Sequence, residues 1–165
     1  MNKCFFPGSF DPFTLGHKNI IEKLVNLSDE IIIGVGNHHE KNSFIDANTR
    51  KNLIEDTVKT ITKNNTSITV VIFSGLVVDA AKSNKCKTIV RGVRDTSDLN
   101  YELRMYNTNR RLEKGIETVF LSTDNNYNHI SSSLVRQICK LGGSLESLVP
   151  ENINKYLKNH INSGT

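Results

Sequence analysis

Five short apolar runs, separated by stretches with a helical pattern, constrain the fold of this chain more than any other feature. The runs predict strands over Lys3–Phe6, Glu30–Val35, Ser67–Phe73, Thr88–Arg91 and Glu117–Leu121. Several are continuous stretches of Ile and Val rather than alternating apolar and polar residues, which is typical of parallel strands covered on both faces. We therefore expect an α/β fold, a doubly wound parallel five-stranded sheet with helices on both faces.

The stretches between and after the strands predict helices over Gly16–Leu27, Ala47–Thr62, Leu76–Ser83, Leu99–Glu113, Ser131–Leu141 and Glu151–Ile161. Asp46 and Asp98 are the candidate N-caps of the second and fourth helices. No repeat, linker or change of composition divides the chain, so we expect a single domain over residues 1–165. The C-terminal helices, about 131–162, are expected to pack on the sheet; covering the entrance of a ligand site is the alternative.

Composition and charge exclude several classes of protein. The three cysteines, Cys4, Cys86 and Cys139, are widely spaced, so we expect reduced thiols and a cytoplasmic location. The apolar runs are too short to cross a membrane, and the N-terminus lacks the apolar region of a signal peptide. The net charge of +4 is scattered among acidic residues. We therefore expect neither nucleic acid nor a membrane as partner, and a small anionic substrate explains the same excess of positive charge.

The stretch "PGSFDPFTLGH" follows the first predicted strand and matches neither the dinucleotide-binding fingerprint nor the P-loop. Gly8 can bring the backbone close to a ligand. His17 falls in the first turn of the next helix, where free N–H groups and the helix dipole favour an anion. A lone histidine is more often structural. Within T-x-G-H, after a strand and a loop containing Gly and Pro, we interpret His17 as a hydrogen-bond donor to a phosphate.

Two arginines mark the end of the fourth strand, and the alternatives for them stay open at this point. Arg91 and Arg94 lie on either side of Gly92, which we expect to release the backbone from the strand. Guanidinium groups at a strand end are well suited to phosphates. Glu102, on the next helix, could pair with an arginine or accept hydrogen bonds from a nucleotide. A purely structural cluster of ion pairs is the alternative.

Polar residues also follow the second and fifth strands. Lys41 could bring an ammonium group to a phosphate, and an ordinary surface lysine is the alternative. The adjacent His38, His39 and Glu40 lack a spaced third ligand, so we predict no metal site formed by the protein. Three serines, 131–133, begin a helix and could bind a polyphosphate; N-capping, which needs only one of them, is the alternative.

The T-x-G-H motif, Thr14-Leu15-Gly16-His17, resembles the hallmark of the nucleotidyltransferase superfamily and implies its Rossmann-like fold. Together with "IVRGVRDTSDLNYE", "NTNRR" and "ISSSLVRQ", it makes the chain similar to the bacterial phosphopantetheine adenylyltransferase family from Lys3 to about Asn152. The resemblance implies transfer of AMP from ATP to 4'-phosphopantetheine, which gives dephospho-coenzyme A and pyrophosphate. It also implies Mg²⁺ bound mainly through ATP, and a homohexamer.

The resemblance implies a set of site residues, matched motif by motif. The positions that match the ATP site are Ser9, Phe10, His17, Gly92, Val93, Arg94, Glu102, Tyr127, Asn128, His129, Ile130, Ser131, Ser132 and Ser133. Those that match the phosphopantetheine site are Ser9, Lys41, Val77 and Arg91, and the expected catalytic residues are His17, Lys41 and Arg91. The expected reaction is an in-line attack without a covalent enzyme intermediate.

Two other functions remain open at this stage. One is a different nucleotidyltransferase, such as a cytidylyltransferase. The other is a non-catalytic domain that binds a nucleotide or RNA with the same fold. The order of substrate binding, the donors to the α-phosphate and feedback by coenzyme A also stay open.

Overall fold

The computed structural model describes residues 2–37, 43–61 and 66–161. Its strands are β1 (Lys3–Gly8), β2 (Glu30–Gly36), β3 (Ser67–Phe73), β4 (Thr88–Val93) and β5 (Glu117–Ser122). Its α-helices are α1 (Leu15–Leu24), α2 (Ala47–Val58), α3 (Val77–Ser83), α4 (Thr96–Leu112), α5 (Ser132–Lys140) and α6 (Glu151–Ile161). A short 3₁₀ turn, Asn125–Tyr127, precedes α5. No helix within these ranges is both long and apolar enough to cross a membrane.

The strands form one parallel sheet in the order β3-β2-β1-β4-β5. Phe5 of β1 pairs with Ile32 of β2 on one side and with Ile89 of β4 on the other. The chain moves outward in one direction from β1 through β3 and then returns to the other side at β4. In such sheets ligands bind beyond the carboxyl ends of the strands where the order reverses, here β1 and β4. The predicted doubly wound parallel sheet is confirmed.

Two buried clusters cover the two faces of the sheet. On one face, Cys4, Phe6 and Ile33 pack with apolar residues of α1, α2, α5 and α6. On the other face, Phe5 and Ile89 pack with α3. A side chain is excluded at position 34 in β2, because its Cβ would lie 2.3 Å from the Phe5 ring. The helices therefore lie on both faces, as predicted.

The strands beside the reversal point are longer than predicted. β1 continues to Gly8 and β4 to Val93, because the neighbouring strands provide partners for the added residues. Gly92 therefore lies inside β4, paired with Leu121, and the prediction that it releases the backbone is wrong. A Cβ at position 92 would lie 3.2 Å from Ile20 of α1. The glycine thus allows α1 to pack closely on β4.

The start of α4 also differs from the prediction. The helix begins at Thr96, and the side chain of Asp95 caps it by accepting from the backbone N–H of Asp98 at 2.9 Å. The prediction of Asp98 as N-cap is therefore wrong, because Asp98 lies in the first turn and its carboxylate binds Arg94. Asp46 caps α2 as predicted. Helices α1 and α2 end earlier than expected, at Leu24 and Val58.

The segment before α6 is tied to the start of α1. Leu145, Leu148 and Val149 are buried, and the backbone N–H of Leu15 donates to the carbonyl of Leu148 at 2.9 Å. The helix α6 then packs against α2 and α5.

Candidate active site

A cleft of about 860 Å³ opens at the carboxyl ends of the central strands. It is lined by the ends of β1, β2 and β3, by β4, and by one face of α4. Four of the predicted site residues meet there: Ser9, Val77, Arg91 and Glu102. The structure thus brings together residues that lie far apart in the sequence.

The loop between β1 and α1 forms one wall of this region. Phe10 has a φ of 49°, in the left-handed region, and its side chain is 2% exposed. Its ring packs 5.4 Å from Phe6 and 5.0 Å from His17, centroid to centroid. A Cβ at Gly8 would lie 2.8 Å from this ring, so the glycine makes room for it. Because the Phe10 side chain is buried, a ligand can reach this residue only through its backbone.

His17 is the third residue of α1 and forms a reciprocal capping box with Thr14. The backbone N–H of Thr14 donates to Nδ1 of His17 at 3.0 Å. Because Nδ1 accepts, the ring hydrogen of the neutral imidazole lies on Nε2. Burial, together with the cations Arg94 and Arg91, lowers the pKa of His17 from 6.5 to about 3. The imidazole is therefore neutral near pH 7, with an Nε2–H group to donate. This capping role was not predicted from the sequence, although the spacing T-x-x-H indicates it.

Arg91 forms an ion pair with Glu102. Of the two alternatives for Glu102, pairing with an arginine is therefore the one that the structure shows. Nε and Nη2 of Arg91 donate to the two carboxylate oxygens at 2.7 and 2.5 Å, and Nη1 donates to the carbonyl of Pro7 at 2.8 Å. Glu102 is 7% exposed and is the one buried residue of α4. The pair fixes α4 to the ends of β1 and β4.

Arg94 makes a similar pair with Asp98, one turn along the chain. Nε and Nη2 donate to the carboxylate at 2.6 and 3.0 Å, and Nη1 donates to the carbonyl of Ile130 at 3.1 Å. Each of Arg91 and Arg94 thus uses three of the five N–H groups of its guanidinium. In the described part of the chain, the other two N–H groups of each remain available to a ligand.

The three serines before and within α5 have different partners. Ser131 is the N-cap and accepts from the backbone N–H of Leu134 at 3.1 Å. Ser132 donates to the carbonyl of Pro12 at 2.8 Å, and Ser133 accepts from Arg136 at 3.1 Å. Capping therefore accounts for Ser131 alone, whereas Ser132 joins α5 to the loop after β1.

The remaining predicted residues that the structure describes do not line the cleft. Tyr127 and Asn128 belong to the turn before α5, and the carbonyl of Tyr127 would lie 3.7 Å from a Cβ at Gly16. His129 is exposed and Ile130 is buried. Val93 ends β4. The predictions for Lys41 and for the pair His38-His39 with Glu40 lie outside the described residues.

Three further residues line the cleft that were not predicted from the sequence: Asp11, Arg50 and Arg136. Arg50 is 3% exposed and donates to the carbonyls of Ile45, Gly36 and Ser9. Its position, four residues before the buried Ile54 on the apolar face of α2, was the available signal. Arg136 of α5 donates to the carbonyl of Asp11 at 2.5 Å.

Comparison with known proteins places this arrangement in a family. The model of the cytidylyltransferase-like family matches residues 5–138, which include the loop after β1, both arginines of the β4 region and most of α5. A phosphopantetheine adenylyltransferase of Clostridium botulinum is 40% identical over 162 residues, 98% of this chain and 96% of that protein. The one of Flavobacterium johnsoniae is 44% identical over 151 residues, 92% of this chain and 96% of that protein.

The chain therefore belongs to the cytidylyltransferase-like nucleotidyltransferases and, within them, to the phosphopantetheine adenylyltransferase family. Among solved structures, the nicotinic acid mononucleotide adenylyltransferase of Plasmodium falciparum superimposes with a TM-score of 0.74 at 18% identity. The match covers 96% of this chain and 95% of that one, and it supports the fold alone.

Proposed function

We propose that this protein transfers AMP from ATP to 4'-phosphopantetheine, giving dephospho-coenzyme A and pyrophosphate in coenzyme A biosynthesis. The relatives that share about 40% of its sequence over nearly the whole chain carry the name of this activity. The observation that carries the proposal is His17, whose Nδ1 is occupied by Thr14 and whose Nε2–H is therefore a donor at the N-terminus of α1.

The reaction needs little acid–base chemistry. The phosphate of phosphopantetheine is already a nucleophile, and the difficulty is to bring two polyanions together and to stabilise the charge on the α-phosphate. A neutral imidazole suits this task, because it donates a hydrogen bond without changing its own charge. We propose that His17 Nε2 donates to an α-phosphate oxygen during an in-line attack, without a covalent enzyme intermediate.

The cleft suits a phosphate joined to a long uncharged arm. Ser9 and Arg91 line the part near β1 and β4, and Leu76, Met105 and Leu112 line the part beside α3 and α4. We propose that Ser9, Lys41 and Arg91 hold the phosphate of phosphopantetheine and that Val77 contacts its arm. ATP then binds beside Gly92, Val93 and Arg94 and the turn before α5, with its terminal phosphates at Ser132 and Ser133.

Within the described ranges, no three His, Cys, Asp or Glu side chains come together in a group that could hold a metal ion. The donor set of the site, composed of arginines, hydroxyls and backbone N–H groups, fits Mg²⁺ that arrives with ATP and is held mainly by phosphate oxygens and water. When bound, the ion would neutralise charge on the polyphosphate. The protein residues would bind and orient the two substrates.

A direct assay tests the proposal. The protein is mixed with ATP, Mg²⁺ and 4'-phosphopantetheine, and dephospho-coenzyme A is sought by mass spectrometry while pyrophosphate release is followed in parallel. We expect both products in equal amounts. Activity with CTP and glycerol phosphate instead would assign a cytidylyltransferase. Nucleotide binding without pyrophosphate release would assign a non-catalytic domain, and a steep dependence on salt would point to RNA.

We also propose, from the family resemblance, that the protein acts as a homohexamer in the cytoplasm. Light scattering on the purified protein tests the assembly, and a mass of six chains is the expected result. A mass of one or two chains in an active preparation would contradict it.

A further inference from the structure

Three separate segments of the chain meet at the guanidinium group of Arg50. Nε donates to the carbonyl of Ile45 at 2.8 Å, before α2, and Nη1 donates to the carbonyl of Gly36 at 3.1 Å, at the end of β2. Nη1 also donates to the carbonyl of Ser9, in the loop after β1. The group thus joins the ends of two neighbouring strands to the start of a helix.

Removing the charged guanidinium of Arg50 from water costs free energy. Arg50 is 3% exposed, and in the described part of the chain its hydrogen bonds go to carbonyl groups rather than to a carboxylate. Burial lowers the pKa of Arg50, and the charges of Asp11 and Asp46 act in the opposite direction. Because Arg50 donates to three backbone carbonyls, it also contributes to stability, and its effect on the position of the loop has to be separated from that contribution.

Asp11 joins the same segments from the opposite side. Its two carboxylate oxygens accept from the backbone N–H groups of Phe44 and Ile45, both at 2.8 Å. The loop after β1 therefore holds the segment before α2 through the Asp11 carboxylate. Arg50 in turn holds that loop through the carbonyl of Ser9. Each partner anchors the segment that carries the other.

The residue between these two anchors is Phe10, in the left-handed backbone conformation. A non-glycine residue there is strained by about 1–3 kcal/mol and persists only where its surroundings hold it. The ring of Phe10 stands edge-on to the imidazole of His17, at 85° between the planes. The anchors at Ser9 and Asp11 therefore reach His17 through Phe10.

We propose that Arg50 and Asp11 are positioning residues that act as one unit. By holding the backbone at Ser9 and Asp11, they keep Phe10 in its left-handed conformation, and its ring keeps the His17 imidazole in the orientation that presents Nε2. The role of this unit in turnover rests on the proposed function, whereas its effect on the His17 ring does not.

The first experiment uses the free protein and needs no substrate. The ¹⁵N NMR signals of the His17 ring report which nitrogen carries the hydrogen. In the unchanged protein we expect Nε2–H with Nδ1 as acceptor. In a folded Arg50→Met variant, which keeps the apolar stem, we expect a mixture of tautomers and a pKa that moves toward 6.5. An unchanged His17 signal in this variant would overturn the proposal, whatever the substrate proves to be.

The second experiment measures turnover. We expect kcat of Arg50→Ala to fall about 10²-fold, the loss that a small misplacement of catalytic groups produces, with the KM values within a few-fold of the original. Methylguanidinium should restore part of kcat by occupying the space left in Arg50→Ala. Arg50→Lys should stay slow, because an ammonium group lacks the planar fork that reaches carbonyls on three segments. Full activity of Arg50→Lys would show that charge alone matters and would contradict the proposal.

The matched controls for stability are Ile54→Val and Ile54→Ala, one turn further along α2 and fully buried. They give two degrees of destabilisation at a side chain that, unlike Arg50, makes no hydrogen bond to the loop after β1. We expect their kcat to stay near the original value. If these controls lose kcat in proportion to their lower Tm, as Arg50→Ala does, the role of Arg50 is only structural.

A double-mutant cycle tests whether the two residues form one unit. If they do, Arg50→Ala combined with Asp11→Ala should reduce kcat no further than the more damaging single change. If the reduction in kcat of the double variant instead equals the product of the two single reductions, Arg50 and Asp11 contribute independently, and the proposal that they act as one unit is contradicted.

Discussion

The loop after β1 and the helix α4 face the same cleft but are built in opposite ways. In the loop, Phe10, Phe13 and Thr14 are each at most 2% exposed. In α4, Glu102 alone is buried, and Tyr101 and Leu112 are 60% and 54% exposed. Most of the loop is thus buried, whereas α4 has one buried residue and otherwise contacts the sheet through pairs nearer the surface, such as Arg110 with Glu117.

The difference follows from what each wall has to contact. Phosphate oxygens need donors at fixed positions, because the strength of a hydrogen bond depends steeply on its geometry. An uncharged arm needs only apolar surface, which tolerates small displacements. Changes in the loop should therefore reduce kcat, and changes on the exposed part of α4 should alter KM alone.

The largest effect is expected for His17→Ala. Loss of the Nε2–H donor should reduce kcat by about 10²–10³-fold while the KM values change little. Loss of the capping box should also lower the free energy of unfolding by about 1 kcal/mol, which calorimetry can measure. Near-normal turnover in this variant would contradict the proposed role of His17 at the α-phosphate.

The next effect concerns the buried ion pair that holds α4, between Arg91 and Glu102. Glu102→Gln removes the charge that holds Arg91, and we expect the free energy of unfolding to fall by about 1.5–3 kcal/mol. Glu113→Gln is the matched control, because Glu113 pairs with Lys82 at 2.6 Å on the surface, and we expect little change. Equal Tm values for the two variants would mean that burial of the Arg91 pair contributes nothing to the attachment of α4.

The pKa of His17 predicts how stability depends on pH. It is about 3 in the folded protein and near 6.5 in the unfolded chain. Between these values the unfolded chain binds a proton that the folded protein does not, so this residue makes stability fall as the pH falls from 6.5 toward 3. Because His17 keeps some contact with solvent, the slope should lie below the limit of about 1.4 kcal/mol per pH unit.

Urea unfolding at several pH values between 4 and 7 measures this slope. The carboxylates of Asp46 and Asp95, whose pKa values are lowered by hydrogen bonds, contribute with the same sign. The comparison with His17→Gln isolates the histidine, and we expect a shallower slope in that variant. Identical slopes would contradict a lowered pKa for His17.

The fold was predictable because its signals are local. Continuous Ile and Val runs identify buried parallel strands, and T-x-G-H identifies the start of α1 and places His17 in its first turn. For the charged residues the sequence was less informative: it left the pairing of Glu102 with an arginine as one of two alternatives and gave no indication of the partners of Arg50. Glu102 lies eleven residues from Arg91, and Ile45 lies five residues from Arg50. Which of these groups form hydrogen bonds depends on how the backbone is packed. Hydrogen bonds to carbonyls, as made by Arg50, leave no pattern of residue types in the sequence.

The smallest effect is expected for a substitution on the exposed face of α4. It tests most directly whether α4 and the loop after β1 contribute differently to binding and to turnover. Leu112 lines the cleft, and Leu103, also exposed on α4, does not. Leu112→Ser should raise KM for phosphopantetheine about five-fold, or about 1 kcal/mol, with kcat and the KM for ATP unchanged. Leu103→Ser should change none of these, and light scattering on both variants controls for assembly. A fall in kcat for Leu112→Ser would mean that α4 helps to align the reacting groups. The proposed difference between the loop, which affects kcat, and α4, which affects KM alone, would then be wrong.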